Sequence, residues 1–145
     1  MILPDVNVLV HAFRPSTPRH EVHGRWLSTL VDGADELALH DVVLAGLVRV
    51  VTNPRIFPDG APAAAALGFV SWLREAPTAR WISSGRATWD VFDELVDGDP
   101  GIRGNLVPDA FLAATAIAHG ARLATADRGF ARYPGLRFFD PASPA

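Results

Sequence analysis

The chain has 145 residues, a formal net charge of −3 and no cysteine. This length is typical of one domain with a sizeable core, and the lack of cysteine excludes disulfides, zinc–thiolate sites and thiol nucleophiles. All 13 basic residues are arginine; codon bias in a GC-rich genome is the first explanation, and the lack of lysine excludes Schiff-base chemistry and a P-loop lysine.

Apolar runs and turn residues predict alternating strands and helices. In chain order, we expect a strand over 1–4, helices over 7–13 and 21–31, a strand over 37–40, and a helix over 41–53 with Asp41 as its N-cap. We then expect a helix over 63–76, a strand over 79–82, helices over 87–97 and 107–119, a strand over 121–125, a helical turn over 127–133 and a strand over 136–140.

The expected strands are short and apolar rather than alternating, as when both faces of a sheet are covered by helices. Strand–helix alternation favours a mainly parallel sheet. The sequence therefore predicts an α/β protein, a three-layer α/β/α sandwich with a mainly parallel central sheet.

The same patterns bear on domains and location. We expect a single domain over residues 1–140 and a frayed tail over 141–145. Residue 1 is not followed by a basic region and a long apolar run, and no apolar stretch reaches the length of a membrane span. We therefore expect no signal peptide, no membrane partner and a cytoplasmic location.

Three aspartates stand at joints between predicted elements. Asp5 follows the first strand, Asp127 follows the fourth strand, and Asp109 opens the helix that leads to that strand. The loop over residues 98–105 would bring the chain back to the carboxyl edge of the sheet. All three carboxylates can therefore converge on the edge where open α/β sheets bind ligands.

Two interpretations of these aspartates remain open at this point. Each aspartate alone is explained by the preference of this residue for helix N-caps. As a group, the three carboxylates would repel each other unless a positive charge lay among them. The chain has no lysine, and no arginine is adjacent in sequence to Asp5 or Asp109, so a divalent cation such as Mg²⁺ or Mn²⁺ is the simplest counter-charge.

Three segments carry a resemblance to a known family: "LPDVNVLVHAF", "RVVTNPRIF" and "GNLVPDAFLAATAIAHGARLATADRGFARYPGLRFFDP". They resemble PIN-domain ribonucleases and, more narrowly, the VapC toxins of VapBC toxin–antitoxin modules. The resemblance extends over nearly the whole chain, and the C-terminal block is its most specific part. It implies a PIN-like sandwich that binds Mg²⁺ or Mn²⁺, hydrolyses RNA to leave a 3′-hydroxyl and a 5′-phosphate, forms a homodimer and pairs with a VapB-like antitoxin.

The resemblance also implies roles for particular residues. Asp5, Asp109 and Asp127 match the metal-binding, catalytic acidic positions of the family. Asn105 and Thr125 match positions near the metal, where they would orient a water or a phosphate oxygen.

Arginines beside these motifs are candidates for contacts with RNA phosphates, which position the substrate without reading its sequence. Arg14 lies in the loop after the first helix, and Arg49 lies one turn after Gly46. For Arg49, a buried ion pair with one of the aspartates is an equal alternative.

Gly46 departs from the family pattern, because many PIN domains carry a glutamate here, in a pattern like "L-A-E-x-x-R". The metal site would lose one charge and one anchor. Two functions therefore stay open: a metal-dependent endoribonuclease, and a catalytically impaired PIN domain that binds RNA or protein. Haloacid-dehalogenase-like phosphatases and phospho-accepting receiver domains also use an early aspartate, but they rely on a lysine that this chain lacks.

Other candidate features have simpler explanations. His20 and His23 are one helical turn apart and could bind zinc, but no further ligand is apparent nearby, and we expect both at the surface. Trp26, Trp72 and Trp81 are expected in the core or at a dimer contact rather than as platforms for RNA bases.

Overall fold

The computed structural model describes residues 1–143. Over these residues, the strands are Ile2–Pro4 (β1), Leu37–Leu39 (β2), Ala79–Trp81 (β3), Arg122–Ala124 (β4) and Phe138–Phe139 (β5). The α-helices are Val6–Phe13 (α1), His20–Asp32 (α2), Asp41–Thr52 (α3), Ala63–Arg74 (α4), Arg86–Gly98 (α5) and Val107–Ala118 (α6). Short 3-10 helices occupy Gly104–Leu106 and Arg128–Arg132.

The five strands form one sheet in the order β3-β2-β1-β4-β5, and every neighbouring pair is parallel. Helices cover both faces of this sheet. One core lies between the sheet and α1–α4, and a second core lies between the opposite face and α5–α6. The predicted α/β/α sandwich is therefore confirmed.

Both faces of β1 and β2 are buried, which explains why these strands are uniformly apolar, whereas β3 and β4 also carry the exposed Arg80 and Arg122. In β1, Ile2 packs in the core on the α1–α4 side, and the adjacent Leu3 packs in the core on the α5–α6 side. Successive side chains of a strand point to opposite faces. A strand covered on both sides therefore has no position for a polar residue until it ends.

The sheet changes winding direction between β1 and β4, and this places two strand ends side by side. Pro4 is in register with Ala124, and the amide of Asp5 donates to the carbonyl of Ala124 at 2.8 Å. Asp5 and Thr125, the residues that follow these strands, therefore meet at the carboxyl edge. A crevice at such a switch point is the usual ligand site of open parallel sheets.

Some local expectations need correction or lie partly outside the described residues. His40, and not Asp41, is the N-cap of α3, and Asp41 is the first residue of the helix. Residues 141–143 form a turn in which the amide of Ala142 donates to Asp140 Oδ1 at 2.9 Å. The last two residues of the expected frayed tail, 144 and 145, lie outside the described residues.

None of the helices within residues 1–143 has the length and apolar character that crossing a bilayer requires.

Candidate active site

Asp5 is the most buried of the three aspartates, with 9% of its surface exposed. It N-caps α1, because its Oδ1 accepts the amide of Val6 at 2.7 Å. Its Oδ2 accepts Thr125 Oγ1 at 2.8 Å and Asn7 Nδ2 at 3.1 Å. These three donors hold the carboxylate in one orientation at the end of β1.

Thr125 and Asn7 join the ends of β1 and β4. The Thr125 hydroxyl donates to Asp5 and accepts both Asn7 Nδ2 at 3.2 Å and the amide of Asp127 at 3.1 Å. Asn7 Oδ1 accepts the amide of Ala126 at 3.2 Å. A hydroxyl has one donor and two acceptor positions, so Thr125 uses its full capacity.

Asp109 lies in the first turn of α6. It shares a cavity of about 170 Å³, called the acidic cavity below, with Asp5, His40, Val42 and Phe111. Unlike Asp5, it is not the cap of its helix; the N-cap position belongs to Leu106. Capping therefore does not explain Asp109.

Asp127 is exposed and N-caps the 3-10 helix after β4, where its Oδ1 accepts the amide of Gly129 at 2.7 Å. Burial raises the pKa of Asp109, and the negative charge of Asp127 raises it further. Burial also raises the pKa of Asp5; hydrogen bonds from Thr125 and Val6 oppose this, and the charges of Asp109 and Asp127 add to it. The three carboxylates therefore share one electrostatic region.

The chemistry of this donor set fits a hard divalent cation. The region offers carboxylate oxygens, which Mg²⁺ and Mn²⁺ prefer, and its charges repel each other in the absence of a cation. Within residues 1–143, no three histidine or acidic side chains are gathered tightly enough to hold an ion as they stand.

Gly46 allows α3 to lie close to the start of α1. A Cβ atom added at Gly46 would lie 2.9 Å from Val6 Cγ2, a distance that side chains do not tolerate without movement. Val6 directly follows Asp5, and its χ1 angle is restricted by β-branching. A glutamate at position 46 would therefore require Val6 to move, which gives a packing reason for the glycine.

Two other predicted site residues, Asn105 and Arg49, are both exposed. Asn105 is exposed in the 3-10 helix just before α6. Arg49 is also exposed, and the expected ion pair with an aspartate is not among those formed within residues 1–143.

Arg14 is buried and belongs to the fold. Its Nη2 lies 2.6 Å from Asp59 Oδ1, and its guanidinium carbon lies 4.3 Å from the centre of the Phe57 ring. The pair holds the loop between α3 and α4 against the end of α1. Arg14 is thus not presented to an RNA phosphate, contrary to the expectation for this residue.

The surface position expected for the two histidines of α2 is wrong for His23, which is fully buried. Its Nε2 lies 3.6 Å from Asp140 Oδ1, and its ring packs edge-on against His11. His20 Nδ1 lies 3.0 Å from the carbonyl oxygen of His11. These contacts tie α2 to α1 and to the end of β5.

Sequence reasoning missed Asn7, His40 and Tyr133. Asn7 could have been found from the "DVN" spacing, since a side chain two residues after Asp5 is within reach of it. His40 follows β2 at the same sheet edge, lines the cavity and has its Nε2 3.1 Å from Ser84 Oγ. Burial raises the pKa of the Tyr133 phenol, and the charge of Asp109 raises it further, which places Tyr133 beside the acidic region.

Comparisons with known proteins agree with this geometry. A family model described as PIN domain matches residues 2–136. The chain is 40% identical over 141 residues to VapC ribonuclease Mb2897 of Mycobacterium bovis and to Ribonuclease VapC43 of Mycobacterium tuberculosis, covering 97% of this chain and 95% of each relative. Its fold is similar to the crystal structure of VapBC2 from Rickettsia felis bound to a promoter DNA fragment, with a TM-score of 0.69, 22% identity and coverage of 97% and 98%.

A parallel sheet covered by helices on both faces, with aspartates at its switch point, defines an α/β sandwich with an acidic region at the carboxyl edge of the sheet. The chain belongs to the PIN domain family and, within it, to the VapC proteins, whose mycobacterial members it matches over nearly its full length.

Proposed function

We propose that this protein is a Mg²⁺- or Mn²⁺-dependent endoribonuclease toxin of the VapC kind, acting on RNA in the cytoplasm. The observation that carries the proposal is that Asp5 and Asp109 line one cavity and that the charge of Asp127 acts on both. The mycobacterial relatives named above are called ribonucleases.

Asp5, Asp109 and Asp127 are the residues that would hold the cation. A bound cation of this type lowers the pKa of a water molecule and neutralises charge on a phosphate. Thr125 and Asn7 fix the orientation of Asp5 through hydrogen bonds of 2.8 and 3.1 Å.

Substrate positioning is assigned to two exposed polar residues, one before α6 and one on α3. Asn105 is exposed at the turn before α6 and would donate its amide to a phosphate oxygen. Arg49 is exposed on α3 and would contact the RNA backbone. Arg14 is left out of this set because its guanidinium pairs with Asp59.

We also propose two protein partners. The similar Rickettsia felis structure is of a VapBC complex, and a VapB-like antitoxin that covers the acidic cavity would inhibit this protein. A homodimer is the proposed state of the toxin itself.

A second function is favoured by Gly46. The close approach of Gly46 to Val6 removes the position at which many PIN domains carry a further acidic side chain. A protein with weakened cation binding could act instead as an RNA- or protein-binding module.

Cleavage assays separate the two functions. Purified protein is incubated with total bacterial RNA in Mg²⁺ or Mn²⁺, with and without EDTA, and new RNA ends are mapped by sequencing. We expect cleavage that EDTA abolishes. Asp5→Asn, Asp109→Asn and Asp127→Asn should each lower it by at least about 100-fold, since removing even indirect partners of a metal costs 10–100-fold.

Asp35→Asn is the matched control, because Asp35 is an exposed aspartate in the turn between α2 and β2 and does not line the acidic cavity. Cleavage that persists in EDTA, or that survives both Asp5→Asn and Asp109→Asn, would rule out the proposed chemistry. RNA binding without cleavage by the wild-type protein would favour the binding module.

A further inference from the structure

An aromatic cluster lies on the α5–α6 side of the sheet, where α5 packs against α6. The ring of Trp89 contacts Phe111 with centroids 4.9 Å apart and Phe92 with centroids 5.9 Å apart, both in edge-to-face geometry. Phe92 and Phe111 contact each other at 5.5 Å. Trp89 is thus held by two neighbours, yet 54% of its surface is exposed.

The cluster reaches the acidic cavity through Phe111. This residue lines the cavity together with Asp5 and Asp109, and it lies two positions after Asp109 on α6. The Trp89 ring contacts Phe111, so a single side chain separates Trp89 from the interior of the cavity.

We propose that Trp89 stacks against a nucleobase of RNA next to the phosphate held in the acidic cavity, an inference that rests on the proposed function. RNA presents two kinds of surface, charged phosphates and flat aromatic bases. Proteins that bind single-stranded RNA commonly stack its bases on aromatic side chains. The contacts with Phe92 and Phe111 orient the Trp89 ring in advance, which reduces the entropy lost on binding.

The exposed charges around Trp89 argue against a second protein copy as its occupant, and because the acidic ones repel phosphates, the contact that Trp89 offers RNA is with an uncharged base. Asp90 and Asp93 are exposed beside it, and Arg86 is exposed one turn earlier, at the N-terminus of α5. Apolar protein interfaces are depleted of charged residues at their centre, whereas Trp89 is a single exposed ring among charges. Arg86 and the positive end of the helix dipole would lie toward the RNA backbone.

Trp72 provides a matched comparison. It is also partly exposed, at 38%, and it packs against another aromatic residue, Phe69, with centroids 5.6 Å apart. However, it lies on α4, whose apolar side chains pack in the core on the opposite face of the sheet. A tryptophan replaced there should not alter contacts beside the acidic cavity.

The test compares two single-stranded RNA probes of 12 nucleotides, one of uridines and one with the same ribose–phosphate backbone lacking bases. Binding is measured by fluorescence anisotropy in Ca²⁺, and cleavage of the uridine probe and of total bacterial RNA is measured in Mn²⁺. We expect the wild-type protein to prefer the base-containing probe by about 10-fold. Trp89→Ala should lose most of this preference, while Trp89→Phe and Trp72→Ala should keep it.

Trp89→Leu repeats the test if Trp89→Ala does not fold, because leucine keeps an apolar contact with Phe111 but has no aromatic face. Equal binding of both probes by the wild type, or a preference unchanged in Trp89→Leu, overturns the inference. A switch from dimer to monomer in light scattering on replacing Trp89 also overturns it, since the ring would then belong to a protein interface. If any of these results is obtained while the wild-type protein cleaves total RNA in Mn²⁺, the Trp89 inference is overturned and the proposed function stands. If the wild-type protein does not cleave total RNA, the Trp89 inference and the proposed function are both overturned.

Discussion

The Thr125 hydroxyl donates to Asp5 Oδ2 at 2.8 Å, a hydrogen bond between residues 120 positions apart in the chain. It forms because β1 and β4 are parallel neighbours whose ends lie in register, with Pro4 opposite Ala124. The bond is buried, and the same hydroxyl accepts the amide of Asp127 at 3.1 Å. One side chain thus links two of the three aspartates of the candidate site.

Thr125→Val removes this link while nearly keeping the shape of the side chain. We expect the free energy of unfolding to fall by about 1–3 kcal/mol, since buried partners lose their hydrogen bonds. Cleavage should fall as well, because Asp5 loses a donor that orients it. Thr125→Ser, which keeps the hydroxyl, is the control in urea unfolding and cleavage assays. Equal stability of the valine and serine variants would contradict this account.

The acidic region should make stability depend on pH. The pKa values of Asp5 and Asp109 are raised in the folded state, so the folded protein binds protons more readily than the unfolded chain. Protonation of Asp5 and Asp109 therefore increases the free energy of unfolding as the pH falls through the raised pKa values. This stabilisation is lost as the pH rises through them.

Asp109→Asn tests this electrostatic cost directly. In EDTA at about pH 7.5, we expect the variant to melt a few degrees above the wild type, and the difference should shrink near pH 4, where the carboxylates take up protons. Mn²⁺ should raise the melting temperature of the wild type at pH 7.5 more than that of the variant. Asp35→Asn serves as the control, and an unchanged or lower melting temperature for Asp109→Asn in EDTA would be the contrary result.

Packing at Gly46 can be tested with a single methyl group. Gly46→Ala places a Cβ 2.9 Å from Val6 Cγ2, and we expect a loss of about 1–3 kcal/mol from overpacking. Gly68→Ala in α4 is the control, because a Cβ there meets nothing within 4 Å, and it should gain about 0.5–1 kcal/mol of helix stability. The double variant Val6→Ala, Gly46→Ala should recover much of the loss; a stabilised Gly46→Ala protein would show that the contact is not restrictive.

The Arg14–Asp59 pair should affect stability and not catalysis. Asp59→Asn leaves a charge on Arg14, whose side chain is only 8% exposed, whereas Arg14→Met removes the charge together with its need for a partner. We therefore expect Asp59→Asn to lower the free energy of unfolding more than Arg14→Met does. Both variants should cleave RNA as well as the wild type per folded molecule. A loss of cleavage in Arg14→Met without a loss of stability would return Arg14 to the substrate-binding set.

Local patterns were sufficient for the order of the elements and for part of the candidate site. The spacing of apolar residues within a segment shows which of its faces is buried. This spacing differs between a strand and a helix, so it can be read segment by segment. Asp5 and Thr125 directly follow β1 and β4, and Asp127 comes two residues after Thr125, so their shared edge followed once the strands were expected to be parallel.

The sequence predicted burial less well for residues whose neighbours in space come from distant segments of the chain. Arg14 and Arg49 look equivalent in sequence, yet Arg14 is buried against Asp59, 45 positions away, and Arg49 is exposed. His23 was expected at the surface because its helix begins at a loop, but packing against His11 and Asp140 buries it. The residues adjacent in sequence to Arg14 and His23 carry no information about these contacts.

The acidic cavity likewise combines features that are local in the sequence with contacts between distant segments. The sequence alone established which carboxylates follow β1 and β4, because the end of a buried strand is a local feature. The tertiary structure decided that Asp109 on α6 shares a cavity with Asp5 and that the Phe111 ring joins this cavity to Trp89. These relations depend on how α6 packs against α5 and the sheet, and helix packing is set by side chains that meet only after the chain has folded.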